Sequence, residues 1–181
     1  MNILIVYATS EGQTRKIADY IAARLAEDGH ETRVHDSALT LGGLDLDAFD
    51  VIFAAGSVHD QRHQETIVNF AIAQRDRLDS IPSAFVSVSL SAAMKDGELE
   101  ARRYVDAFIE KTGWRPADTL LVAGALRYSE YDYFRQQIVK FLVLDKDQSI
   151  DTEGDCEFTD WEEVARFARS FVAKAGRPSP G

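Results

Sequence analysis

Between Thr9 and Thr14 the sequence reads Thr-Ser-Glu-Gly-Gln-Thr, placing three hydroxyls (Thr9, Ser10, Thr14) and one amide (Gln13) around Gly12. Such side chains donate hydrogen bonds without carrying charge, and a glycine lets the chain turn tightly among them. The apolar run Ile3–Val6 precedes the group, and Ile17, Ala18, Ile21, Ala22 and Leu25 follow it on one helical face. The group therefore stands at a strand-to-helix junction, where the first amides of the helix are free and its dipole is positive. That combination can hold an anion. It contains no lysine, and neither G-x-x-x-x-G-K-S/T nor G-x-G-x-x-G occurs, so a nucleotide triphosphate or dinucleotide loop is not indicated. Neutral donors suit a single terminal phosphate, such as that of flavin mononucleotide (FMN). Thr and Ser are also ordinary helix N-caps, and the same residues read equally as a cap.

The surrounding elements alternate. Ile3–Tyr7, Asp50–Ser57, Ser83–Leu90 and Thr119–Leu126 read as buried strands, and Glu31–Ser37 as a half-exposed edge strand. Between them lie helical periods: the one ending at Gly29, one from Ile67 to about Asp79, and one carrying Ala101, Val105, Phe108 and Ile109 that Gly113 and Pro116 stop. Thr159-Asp160-Trp161-Glu162 reads as a capping box opening the last helix. Near-continuous apolar strands separated by helices predict an α/β, doubly wound, five-stranded parallel sheet of order 2-1-3-4-5, with helices on both faces. In that order the ligand crevice lies beyond the carboxyl ends of strands 1 and 3. A single domain over residues 1–176 is expected, with a tail at 177–181. A long connection at 127–158 carries an amphipathic helix (Tyr131, Phe134, Ile138, Phe141, Leu142) and then an acidic run.

Composition narrows the classes. The 181 residues are 45% hydrophobic and 28% charged, enough for a packed core, and the net charge of -10 argues against a nucleic-acid partner. Cys156 is the only cysteine, so no disulfide, iron-sulfur cluster or cysteine-built zinc site is expected. The acidic run lacks the glycine and terminal glutamate of a calcium loop, and no metal is expected. No apolar stretch approaches the roughly 18 residues of a membrane span, and Met1–Tyr7 lacks the features of a signal peptide. The cytoplasm is the expected compartment.

The stretch Tyr7–Ile21 resembles the phosphate loop of flavodoxin-like proteins. Ile81–Leu90, Trp114–Tyr128 and Thr159–Ala168 are similar to stretches of the flavodoxin-like, menaquinone-dependent protoporphyrinogen oxidases of bacterial haem biosynthesis, and the resemblance spans nearly the whole chain. It implies a flavodoxin-like fold, FMN as cofactor, a porphyrinogen substrate and a quinone acceptor. It carries the phosphate role onto Thr9, Ser10, Gly12, Gln13 and Thr14. Glu11 departs from the usual threonine, and a carboxylate facing a phosphate is unfavourable, so Glu11 is expected to point to solvent.

Two further loops are expected at the same edge. Gly56, Ser57, Val58 and His59 would approach the flavin ring after strand 3, and Ser89, Leu90 and Ser91 would lie along its edge after strand 4. His59 and His63 read more readily as exposed loop residues than as flavin contacts. The redox chemistry would be the cofactor's, so no protein nucleophile is nominated. Substrate-platform candidates are Arg127, Tyr128, Tyr131 and Arg62, with Tyr133, Phe134 and Arg135 nearby. The connection is acidic where family members are basic, so membrane-surface contact is expected to be transient, through Phe141, Leu142 and Leu144 at the inner face of the membrane. An electron-carrying flavodoxin serving a partner reductase is the alternative reading. A phosphoacceptor receiver would need an aspartate where Gly56 stands. The sequence leaves the oligomeric state open.

Overall fold

Alternation in the first strand decides which side chains face which helices. In the computed structural model, which describes residues 1–39, 44–126 and 156–176, β1 (Asn2–Ala8) buries Ile3, Ile5 and Tyr7 on one face and Leu4, Val6 and Ala8 on the other. Both faces being covered is why the strand reads as one apolar run. α1 (Gln13–Glu27) follows and ends at Gly29, whose φ of 86° lets its amide and that of His30 return to the carbonyls of Ala26 and Leu25.

β2 (Glu31–Asp36) lies at one edge, and β3 (Val51–His59) runs through the centre. A two-residue strand, β4 (Arg62–His63), folds back antiparallel on β3. β5 (Ser83–Ser89) and β6 (Asp118–Ala123) complete the order β2-β1-β3-β5-β6. Counted over the parallel strands alone, this is the expected 2-1-3-4-5; the β3–β4 hairpin adds a sixth strand. The last strand is shorter than its apolar run suggested. It breaks at Gly124, and β7 (Ala125–Leu126) leaves the sheet to pair antiparallel with β8 (Cys156–Glu157).

The helix expected from Ile67 to Asp79 is two: α2 (Glu65–Ala73) and α3 (Arg75–Ser80). Gln74 divides them, its amide ending α2 on the Phe70 carbonyl while its own carbonyl accepts from Arg77 and Leu78 to start α3. α4 (Glu98–Thr112) stops at Gly113, with φ of 71°. α5 (Trp161–Ala175) is capped by Asp160, which accepts from the amide of Glu163. The cap thus falls one residue later than the capping box predicted, because the Thr159 hydroxyl is spent on the Ala123 carbonyl at 2.8 Å. None of the described helices is long and apolar enough to cross a membrane.

Two cores flank the sheet. α1 and α5 cover one face, where the ring of Phe53 meets Phe171 edge-on at 5.4 Å. α2, α3 and α4 cover the other, where Phe85 stacks on Phe108 at 4.2 Å. Trp114 is wholly buried there and donates to Ser83 Oγ at 3.2 Å, which in turn donates to the Leu78 carbonyl at 2.7 Å. The Trp-Arg-Pro stretch is therefore an anchor at the foot of β6. His63 is buried in the same core, its ring 5.1 Å from that of Phe85 and 5.2 Å from that of Phe108.

Burial pushes the His63 imidazole down from 6.5 to about 4. Between those values the unfolded chain takes up the proton more readily than the folded one. The His63 contribution to stability is complete above pH 6.5 and is lost as the pH falls towards 4. Denaturant titrations at the two ends of that window should show His63→Phe losing less stability than the wild type, by on the order of 3 kcal/mol. At the start of α4, a Cβ on Gly97 would lie 1.8 Å from the Ser91 carbonyl oxygen. Gly97→Ala should therefore destabilise the fold by roughly 1–3 kcal/mol, read as a lowered melting temperature.

Candidate cofactor site

Gly12 adopts φ of 89°, which a residue with a Cβ reaches only under strain, and its amide donates to Thr9 Oγ1 at 2.9 Å. This bond curls the loop after β1 and delivers the chain into α1 with no side-chain cap on the helix. The capping reading of Thr9 and Ser10 is thereby set aside: Thr9 is occupied within the loop, and the helix N-terminus keeps its positive end for something else. Thr14 is wholly buried, yet its Oγ1 has no hydrogen-bond partner among the described residues. A buried hydroxyl left unpaired costs about 1–3 kcal/mol.

The cleft beyond β1, β3 and β5 encloses about 570 Å³ of empty space, counting its solvent-open mouth. Thr9, Ser10, Gln13 and Thr14 line one side of it. Glu11 lines it too and is half-buried, contrary to the expectation that it points to solvent; the short turn closed by Thr9 and Gly12 keeps it at the rim. Among the described residues no lysine or arginine lines the cleft. An anion at the loop would meet neutral donors and a helix end, with the Glu11 carboxylate at the rim.

Ser57, Val58 and His59 form the second wall. Ser57 Oγ is another buried hydroxyl without a partner among the described residues. The turn that follows is held by Asp60 at φ 47° and Gln61 at φ 62°, both non-glycine residues in the left-handed region. Such strain, costing about 1–3 kcal/mol per residue, concentrates at functional sites. Gly56 is fully buried and does not border the cleft. A Cβ there would lie 3.0 Å from Ile67 Cγ2 and 3.4 Å from His63 Cδ2, so its smallness serves packing beneath the wall. Arg62 is exposed on β4, while His63, read as an exposed loop residue, is 94% buried because β4 turns it into the core.

The third wall comes from the end of β5. Ser89 and Leu90 line the cleft, and Ser89 Oγ accepts from the Ala92 amide at 3.2 Å. Ser91 does not line it; its hydroxyl donates to Glu100 at 3.2 Å and lies 3.4 Å from Tyr104 OH, turned towards α4. Val88, Gly124 and Ala125 line the cleft without having been expected there. Gly124 carried the signal, since a glycine inside an apolar strand marks a break or a close backbone approach.

The anion loop is also tied to the end of the long connection. Gln13 Nε2 donates to Thr159 Oγ1 at 2.9 Å, so part of its amide is committed away from any ligand. Lys16 pairs with Glu157 at 3.2 Å, and Trp161 Nε1 donates to the same carboxylate at 2.9 Å. Burial alone would raise the Glu157 carboxyl, but hydrogen bonds from Trp161, Lys16 and Gln13 outweigh it and hold it below the usual range. The platform candidates Arg127, Tyr128 and Tyr131, with Tyr133, Phe134 and Arg135, lie outside the described residues, as do the acidic run up to Asp155 and the tail. Among the described residues no cluster of three or more His, Cys, Asp or Glu could hold a metal.

Comparison with known proteins agrees with this fold. The flavodoxin domain family model matches residues 4–153. The protoporphyrinogen IX dehydrogenase (quinone) of Escherichia coli strain K12 is 31% identical over 180 residues, 99% of each chain. The Leishmania major protein of the same name is 28% identical over 174 residues, 94% of this chain and 74% of that one. Among solved structures, the Streptococcus pneumonia TIGR4 flavodoxin superposes with a TM-score of 0.57 at 19% identity, covering 96% of this chain and 99% of that one. Oxidised flavodoxin 2 from Bacillus cereus gives 0.55 at 20% identity, with coverage of 96% and 99%. The chain belongs to the flavodoxin domain family, in the branch of the quinone-linked protoporphyrinogen dehydrogenases.

Thr14→Val keeps the shape and deletes the orphaned hydroxyl. The flavin-free protein should be as stable as the wild type or more so, while its affinity for inorganic phosphate falls by about 1–2 kcal/mol. Thermal melts paired with isothermal titration check both halves; unchanged phosphate affinity would release Thr14 from the anion site.

Proposed function

We propose, from membership of that branch and from the cleft, that the protein is an FMN-dependent dehydrogenase that oxidises protoporphyrinogen IX to protoporphyrin IX and passes the electrons to a quinone. The observation that carries the reading is the start of α1, without a side-chain cap, beside the buried Thr14 hydroxyl, which has no partner among the described residues. It occurs in a chain related along its full length to proteins named for that reaction. Thr9, Ser10, Gly12, Gln13 and Thr14 would hold the phosphate. Ser57, Val58 and His59 on one wall and Ser89 and Leu90 on another would bracket the ring, with Gly56 and Ser91 supporting them from behind. The bound flavin supplies the redox chemistry that no side chain here offers.

The chain's own residues do the rest. Neutral donors and the helix dipole would hold the phosphate dianion by hydrogen bonds, leaving its negative charge without a lysine or arginine partner among the described lining residues. The apolar Val58 and Leu90 exclude water from the ring faces. The connection leaves β7 directly from the cleft rim, since Ala125 lines the cleft, and this supports Arg127, Tyr128 and Tyr131 as the porphyrinogen platform. Arg62, exposed on the neighbouring hairpin, would meet a propionate. Residues 1–176 would act as one cytoplasmic domain, with the tail at 177–181 outside it. Contact with the quinone pool would be peripheral and brief, because the net charge of -10 is repelled by anionic lipid.

The acidic surface also suits an electron carrier docking on a basic reductase. The two readings part in one anaerobic experiment. Purified protein reconstituted with FMN should oxidise protoporphyrinogen faster when a menaquinone analogue is added, with porphyrin fluorescence as the readout. Turnover only in the presence of a partner reductase would favour the carrier, and protein that cannot be loaded with FMN would remove both.

A further inference from the structure

A wall of the cleft has to be held in place, and the hairpin that makes it is weakly held by its own backbone. Its return strand, β4, is two residues long and pairs with β3 at Val58–His63 and His59–Arg62, with one further backbone bond from the Gln64 amide to the Ser57 carbonyl at 3.2 Å. Its two-residue turn has the positive φ that suits a hairpin, but fills both places with non-glycine residues, Asp60 and Gln61, which carry a strain cost there. The side chain that ties it to the rest of the fold is His63. The imidazole enters the aromatic core against Phe85 and Phe108, and its Nε2 shares a 2.9 Å hydrogen bond with Ser87 Oγ. Ser87 is 1% exposed and stands on β5 directly beside Gly56 of β3. The missing Cβ of Gly56 leaves the room that the imidazole occupies. Arg62, the other residue of β4, is exposed and contributes no such anchor.

A core position between two phenylalanines would be served more simply by an apolar side chain. An imidazole here is desolvated and stays neutral. It gains one directional bond, made to the strand that ends in Ser89 and Leu90. That bond therefore links two of the three cleft walls across the sheet, beneath the place where a planar ring would enter.

We infer that the His63–Ser87 hydrogen bond is a positioning device that sets the separation of the Val58 wall from the Leu90 wall, and so tunes affinity for the flavin ring without touching the phosphate site. The inference rests on the flavin reading above. Neither residue lines the cleft, so the effect must pass through Val58, paired to His63, and through the end of β5.

The test uses the full-length chain stripped of flavin, with riboflavin reporting on the ring walls and inorganic phosphate on the anion loop. Ser87→Ala removes the bond and leaves the imidazole in place; His63→Phe keeps an aromatic ring and removes the bond from the other side. Each should weaken riboflavin binding roughly fivefold, the scale of one buried hydrogen bond, and leave phosphate affinity unchanged. The double variant should fall no further than the weaker single one, because both delete the same interaction. Unaltered riboflavin affinity in a folded Ser87→Ala protein overturns the inference. So does equal weakening of riboflavin and phosphate, which marks general loosening, and so does additivity in the double variant. Wild-type protein that binds phosphate but no flavin would instead sink the cofactor reading itself.

Discussion

A hydroxyl sealed inside a protein with nothing to bond is a debt of about 1–3 kcal/mol, and Thr14 carries one at the start of α1. The neighbouring helix end is uncapped, so several donors share one unmet demand. Both features exist because Gly12 turns in the left-handed region and ties its amide back to Thr9, which takes the obvious capping hydroxyl out of contention. Nothing among the described residues satisfies these groups, and an acceptor entering the cleft would. The three cleft walls are arranged around that requirement. The parallel sheet order opens a crevice there, and the loops that close on it supply several hydroxyls and an amide, with Glu11 at the rim.

The walls differ in how they are supported. The anion loop is braced by Gln13 and Lys16 reaching across to Thr159 and Glu157. The β5 wall is braced by Ser89 and by Ser91, whose hydroxyl is directed at Glu100 and Tyr104. The hairpin wall has a strained turn and a two-residue return strand, and its fixity comes from a buried imidazole. Each support is polar, and some of its members, such as Glu157, Ser91 and His63, stand outside the cleft lining. Side chains that line the cleft are thus placed in part by side chains that do not.

Much of this was readable from residue types alone. The central strands were legible because coverage on both faces leaves them uninterrupted, and Gly29 and Gly113 marked helix ends because only a left-handed residue closes them so cheaply. The lining roles of Thr9, Ser10, Gln13, Thr14, Ser57, Val58, His59, Ser89 and Leu90 followed from their places just past strand ends. What escaped was set by long-range contacts. His63 follows Asp60, Gln61 and Arg62 and looks solvated; its burial depends on a turn with no glycine to announce it and on a serine far along the chain. Ser91 was misdirected by partners on α4, and the α2–α3 break at Gln74 has neither proline nor glycine to signal it. Thr159 failed as a cap because two distant groups, Gln13 and the Ala123 carbonyl, claim its hydroxyl.

The pairing of β7 with β8 fixes where the long connection departs and where it rejoins, and both places are the same spot beside Gly124. An excursion whose feet are already stapled together incurs only a slowly growing, logarithmic entropy penalty as it lengthens. Residues inserted into it would therefore cost the fold little, provided that Ala125 and Leu126 keep their pairing with Glu157 and Cys156. Closing the connection at its base in this way spares the cleft rim the cost of holding the two ends together.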